Sequence, residues 1–439
     1  MKKAEHRTGN STKIYIMSCI ALLSIGFSFS LRTSIAGDLA QLFDTTDPLR
    51  SSAMVGAVLG LAFLGYAITL FVVSPFLNAI GMGRLMKASA VFLTAGTLII
   101  AFSEHLTLLT TYRTIWLGML TIGVGWGLVD AVTNPLLITL YPADKTHKLN
   151  VLHAWWPGGI MIGGILGLLA DRLGVDWNIT LCLSILPVLV YGGMCFSLRF
   201  PLTERAAAGI SFFDMFCELL RRPVFFVWIA AMFLTAASEL APGQWVDHAL
   251  SRVVGMRGIW ILIYVSGLMF VMRHFAGSLS KWLSPVGILW ISSLLTGIGL
   301  FLLSVANSPL TALLAATIWG VGVCYLWPTM LASVSERFPK GGSLAMGLMG
   351  TGGTLSIYFA LPAIGKIYDH AKIVAAGGEE AFTNLGGEKL NEVLSVASRT
   401  SFRYIAILPV ILLVVFGAFW IYDRMKGGYN PEKLNAEES

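Results

Sequence analysis

Charge is what this sequence has least of. Of its 439 residues only 12% are Asp, Glu, Lys or Arg, against 56% hydrophobic. A water-soluble protein keeps roughly 25–35% of its surface charged, so a soluble domain of this length is excluded. A large soluble helical core would also need helices with polar outer faces. The segment AMVGAVLGLAFLGYAITLFVV (53–73) has none. The five cysteines, at 19, 182, 195, 217 and 324, are scattered without paired spacing, which excludes a disulfide framework and a thiolate metal site. No glycine-rich loop ends in Lys-Ser/Thr, so ATP-driven transport within this chain is not expected. His and Cys show no metal-ligand spacing, and no metal or cofactor is called for. Ser238 has no base nearby in sequence, so an enzyme is not expected. The N-terminal MKKAEHRTGNSTK runs into the first apolar segment without a small-residue cleavage site, which predicts a retained first span. The net charge of +6 is spread over short loops, so nucleic acid is not an expected partner and membrane orientation explains the excess.

What the chain has instead is a recurrence of apolar stretches of about 20 residues, each long enough to cross the hydrocarbon core. Polar punctuation predicts twelve spans near 13–36, 51–79, 85–103, 109–140, 149–170, 178–199, 223–246, 259–283, 285–305, 309–334, 341–367 and 401–423. The fold class is therefore an all-α membrane protein of twelve transmembrane helices. An even number puts both termini on one side. Most Lys and Arg of the loops fall on that side, which makes it cytoplasmic. The expected setting is lipid, in a bacterial inner membrane, with the chain acting as a monomer. Residues 200–222 separate an N-terminal six-helix half (1–199) from a C-terminal one (223–439). Within that break SFFDMFCELLRRP (211–223) has apolar residues at helical spacing, as in an amphipathic connector. GVGWGLVDAVTNPLLITLYP from Gly123 and GVGVCYLWPTMLASVSERFP from Gly320 run from Gly-Val-Gly to an aromatic-Pro pair over the same length, in the fourth span of each half. Two pseudo-symmetric halves with a site at their interface are the plan of a secondary transporter.

Charges inside apolar segments locate that site. Asp130 lies roughly 18 Å from Pro142 and 25 Å from Arg113 at about 1.5 Å per residue, near the midplane. A central Asp costs about 3 kcal/mol on insertion scales, so it is expected to be protonated, paired or facing a wet cavity. Gly123, Gly127, Asp130 and Asn134 share one helical face, which would line a ligand with open space and polar groups. Arg32, deep in span 1, partners either Asp130 or an anionic group on a solute. His153, beside Trp155 and Trp156, is a hydrogen-bonded core residue or a ligand contact, with indoles able to stack on a sugar. Glu239 and Gln244 bracket Pro242-Gly243 in span 7, where a broken helix is expected, and Trp327-Pro328 does the same in span 10. Arg273 in span 8 is placed near the cytoplasmic end, snorkelling or holding a loop.

These residues resemble a known family. Two six-span halves are similar to the major facilitator superfamily. Within it, GMLTIGVGWGLVDAVTNP (118–135) resembles span 4 of the L-fucose:proton symporter family, where an acid stands four before Asn-Pro. KLNVLHAWWPGGIMIGG resembles that family's span 5, ASELAPGQW its span 7 and MRHFAGSLSKWLSP its span 8. The resemblance implies proton-coupled uptake of a sugar or sugar derivative by alternating access. Asp130 with Arg32 would handle the proton, and Asn134, His153, Trp156, Glu239, Gln244 and Trp327 would contact the solute. Two departures stand out. The family's span-1 carboxylate aligns near Thr33, which cannot ionise. The loop NAIGMGRLMK keeps Gly81, Gly83 and Arg84 of the superfamily's gating loop but not its acid. An anionic solute such as a sugar acid, clamped by Arg32, is the alternative; drug efflux and a non-transporting receptor rank lower.

Overall fold

The computed structural model describes residues 2–44, 51–106, 109–142 and 144–432, and among them every regular element is a helix. Eleven helices are long and apolar enough to cross a bilayer. We number them as spans 1 (Asn10–Ser34), 2 (Ala53–Ile80), 3 (Met82–Ala101), 4 (Thr111–Leu140), 5 (Lys145–Arg172), 6 (Trp177–Met194), 7 (Val224–Gly243), 9 (Pro285–Val305), 10 (Pro309–Arg337), 11 (Pro339–Ala376) and 12 (Gly387–Met425). The predicted eighth is a shorter apolar helix, Ile259–Arg273. After a break at His274-Phe275 the chain resumes as Ala276–Trp282, so two helical pieces cover the distance predicted for one. The polar stretch after span 11 is largely absorbed into helix, with span 12 already under way at Gly387.

Packing follows the internal repeat. Span 1 lies on span 5, span 2 on span 4 and span 3 on span 4; six spans later, 7 lies on 11, 8 on 10 and 9 on 10. The halves meet through span 2 against 11 and span 5 against 8, an exchange of the same two positions. The repeated glycines are part of this. A Cβ on Gly123 would fall 2.0 Å from the Ala62 carbonyl oxygen of span 2, and one on Gly320 would fall 3.2 Å from Val265 of span 8. Two residues on, Gly125 and Gly322 would meet Leu93 of span 3 and Thr296 of span 9. Without a hydrophobic drive between helices in lipid, such small residues let backbones approach closely. The shared face of Gly123 and Gly127 is therefore a packing surface against span 2, where the sequence suggested ligand space. Gly127 sits against Thr69 and the Tyr66 carbonyl.

The connector between the halves contains the predicted amphipathic helix, Phe212–Arg221, started by a reciprocal capping box of Ser211 and Asp214. Hydrogen bonds from Ser211 hold the Asp214 carboxyl below the usual carboxylate range.

The expected break at Pro242 is not there: the helix runs on from Val224 to Val254. Proline removes the amide that would bond the carbonyl four residues back, here Ser238. The Trp319 indole of span 10 donates to that oxygen at 3.3 Å, so the helix continues with its freed carbonyl satisfied from a neighbour.

Candidate functional site

A narrow cavity of about 30 Å³ lies between the halves. Span 4 brings Asp130 into it, span 5 brings His153 and Trp156, span 7 brings Glu239, and span 10 brings Trp327. These five were expected from the sequence. Phe63 and Tyr66 of span 2, Trp126 of span 4, Arg273 of span 8 and Thr354 of span 11 line it too and were not. Aromatic walls with a few convergent polar groups are the usual composition of a small-molecule site.

Its polar groups form one chain across the interface. Asp130, 3% exposed, accepts a 2.6 Å bond at Oδ1 from Asn134 Nδ2, and the Tyr66 hydroxyl is its other side-chain partner. Oδ2 faces Gly350 of span 11, whose Cβ position would be 3.7 Å away. Asn134 Oδ1 and His153 Nε2 lie 2.8 Å apart. An amide oxygen only accepts, so with Asn134 donating to Asp130 the His153 proton sits on Nε2. Asn134 thus joins the network without lining the cavity.

Arg273 closes the chain from the other half. Far from snorkelling, it is 1% exposed. Its Nη1 donates to the His153 carbonyl oxygen at 2.7 Å, Nε to the Cys324 carbonyl oxygen at 2.6 Å, and Nη2 to Glu239 Oε1 at 3.0 Å. Both carbonyls precede a proline by four residues, Pro157 for His153 and Pro328 for Cys324. Each ring deletes the amide that would otherwise take the oxygen, and the planar guanidinium fork supplies the missing donors. Trp327, beyond the break in span 10 at Cys324-Tyr325, turns its amide toward Glu239. Spans 5, 7, 8 and 10 are therefore tied at one point.

Arg32 does not take the expected place. It is fully buried, donates from Nη2 to the Leu59 carbonyl oxygen at 2.9 Å, and stacks over Trp126 with Cζ 4.8 Å from the ring centroid. It makes no ion pair with Asp130 and does not line the cavity, because Trp126, one turn before Asp130, stands between the guanidinium and the open space. Asp130 is thus held by neutral donors alone. Trp155 also turns away, edge-on to Phe270 at 5.4 Å, whereas Trp156 packs edge-on to Phe29 at 5.2 Å beside the cavity. The Gln244 side chain lies outside the described residues. No group of three or more His, Cys, Asp or Glu side chains with metal-site geometry occurs among the described residues.

Three solved structures of similar fold are distant in sequence. The xylose transporter XylE from E. coli, in a partially occluded inward-open conformation, superposes with a TM-score of 0.73 at 14% identity, over 94% of this chain and 98% of that one. The E. coli fucose:proton symporter FucP gives 0.58 at 16% identity, over 91% and 99%. The human organic anion transporter MFSD10 gives 0.66 at 13%, over 92% and 99%. At such identities the likeness speaks for the fold alone. A search of the curated proteins returned no match. The family model described as Major Facilitator Superfamily matches residues 14–361, most of the chain, and with the paired halves and the cavity between them this places the protein in the major facilitator superfamily of membrane transporters.

Proposed function

We propose that this transporter couples uptake of a sugar or sugar derivative to a proton by alternating access. It would work as a monomer in a bacterial inner membrane with both termini cytoplasmic. The observation that carries the reading is the chain Tyr66–Asp130–Asn134–His153, continued through the His153 carbonyl to Arg273 and Glu239 of the other half. Asp130 is the proton site. As a carboxylate it only accepts, which fixes Asn134 as donor toward it and His153 as donor toward Asn134. A proton on the Asp130 oxygen facing Asn134 turns that acceptor into a donor. The amide then flips, and His153 must present a bare Nε2 to it. The protonation state of one half is thereby transmitted to the residue whose backbone the other half grips.

The solute would sit among Trp126, Trp156 and Trp327, whose faces suit the apolar face of a sugar ring. Arg273 is already engaged by a carboxylate and two carbonyls, and Arg32 lies behind Trp126. Among the described residues lining the cavity no guanidinium is therefore left to clamp a carboxylate, which favours a neutral sugar over a sugar acid. FucP, a fucose:proton symporter, shares the fold, and the motif resemblance in spans 4, 5, 7 and 8 points the same way. The test is Asp130→Asn in proteoliposomes. Sugar counterflow should persist while concentrative uptake driven by a proton gradient is lost. Concentrative uptake by the variant would remove Asp130 from the proton site.

A further inference from the structure

The connector helix Phe212–Arg221 uses only part of its apolar surface against the protein. At about 100° per residue, Met215, Leu219, Phe212, Phe216, Leu220 and Phe213 share one sector about 160° wide. Asp214, Cys217, Glu218 and Arg221 fill the remainder. One edge of the apolar sector packs inward. Met215 and Leu219 are buried, and a Cβ on Gly341 of span 11 would fall 2.8 Å from Leu219 Cδ2. The other edge turns outward, with Phe213 73% and Leu220 67% exposed. That edge continues a surface the membrane already covers. Val72, Phe76 and Ile80 make an exposed apolar stripe at four-residue spacing down to the end of span 2. Phe212 stacks on Phe76, with centroids 5.3 Å apart and ring planes at 19°. Past Arg221 the chain enters span 7 at Val224, which is exposed, as is Phe226.

We infer that the connector helix lies in the membrane interface, with the Phe213–Leu220 edge seated among phospholipid acyl chains and the charged sector turned to water. The charged sector is of mixed sign, so apolar burial holds the helix there and anionic headgroups are not required. The same helix touches Phe76 of span 2 in one half and Gly341 of span 11 in the other. It is therefore a strap between the halves whose free edge is in lipid. Any parting of spans 2 and 11 at this end has to move the strap through the leaflet, which makes the lipid a partner in that motion.

The test places photoreactive benzoylphenylalanine at position 213, 220 or 221 of the full-length protein in phosphatidylcholine vesicles. After irradiation, intact-protein mass spectrometry reads what has been added. All three positions are exposed, so the probe leaves the packing intact. A mass gain of one phospholipid should appear at 213 and 220, several-fold more often than at 221 on the polar sector. Including phosphatidylglycerol in the vesicles should leave those yields unchanged. Protein without an adduct at 213 and 220 would show a solvated edge and overturn the inference. A crosslink from 213 to a second copy of the chain would overturn it too, by putting protein where lipid is inferred. Equal lipid adduct at 221 overturns the orientation, and adduct only with phosphatidylglycerol overturns apolar seating.

Discussion

Replacing Arg273 by Met should be among the most damaging single changes available to this protein, and the geometry says how the damage divides. The side chain is buried and holds three acceptors at 2.6, 2.7 and 3.0 Å. Removing it leaves Glu239 as a buried charge without its counter-ion, which by itself costs about 3–5 kcal/mol. It also orphans two carbonyl oxygens that their own helices cannot bond, each worth about 1–3 kcal/mol. The proline argument allows the second part to be isolated. In Pro157→Ala, residue 157 regains an amide, and that amide can bond the His153 carbonyl within span 5. Arg273→Met should then cost less in the Pro157→Ala background than in the wild type. The expected coupling energy in the double-mutant cycle is about 1.5–3 kcal/mol, the worth of a hydrogen bond to a charged donor. The assay is reversible unfolding in mixed micelles of the wild type, both single variants and the double variant. Additivity within about 0.5 kcal/mol would refute the claim that Arg273 satisfies what Pro157 leaves unbonded. Glu239→Gln combined with Arg273→Met should recover part of the charge term and none of the carbonyl terms.

The same logic applies at Pro242. Trp319→Phe removes the donor to Ser238 and should lower stability by about 1 kcal/mol, with Pro242→Ala restoring most of it; melting temperatures of the three variants decide. A Cβ on Gly26 would lie 1.9 Å from the Trp156 carbonyl oxygen, so Gly26→Ala forces spans 1 and 5 apart. It should cost about 1–3 kcal/mol and weaken solute binding, because Trp156 moves with span 5; thermal shift with and without sugar separates the two effects.

The spans could be read from the sequence because lipid demands runs of about 20 apolar residues, and Asp130, Asn134 and His153 stood out because polar groups inside such runs are costly. Tyr66 and Trp126 did not, since an aromatic residue in an apolar run looks the same whether it lines a cavity or fills a core. Arg273 was misplaced for a geometric reason. Span 8 was expected to run to 283, yet Arg273 was set near its cytoplasmic end; the chain breaks at His274-Phe275 and resumes as helix to Trp282. Nine further residues at about 1.5 Å each set Arg273 deep in the bundle. A usable signal did exist. Trp156-Pro157 and Trp327-Pro328 announce unbonded carbonyls at His153 and Cys324, and buried oxygens of that kind require donors; a nearby intramembrane arginine was the candidate to supply them. Arg32 was misjudged because sequence gives depth but not azimuth, and the Trp126 ring occupies the direction toward Asp130.

The ties between the halves differ in strength in a way that bears on alternating access. At the end opposite the termini, Arg257 pairs with Asp171 of span 5, and both side chains are well exposed, 44% and 63%. Such a pair contributes little and is weakened by salt. At the terminal end, Thr146 of span 5 donates to Glu336 of span 10 at 3.0 Å. Glu336 Oε2 is also held by the Tyr429 hydroxyl beyond span 12, and burial beside Glu336 pushes the Tyr429 phenol well above its usual range. Between these ends the Arg273 bond to the His153 carbonyl is charge-assisted too, and with Arg273 only 1% exposed it is the one most shielded from water and salt. If the halves rock, the exposed pair is the cheapest contact to break, the Thr146–Glu336 contact is next, and the Arg273 bond is the last. That order makes the level of His153 and Arg273 the pivot. It also places the pivot one hydrogen-bonded side chain, Asn134, from the carboxylate proposed to carry the proton, so a change of protonation acts where the two halves are joined most firmly.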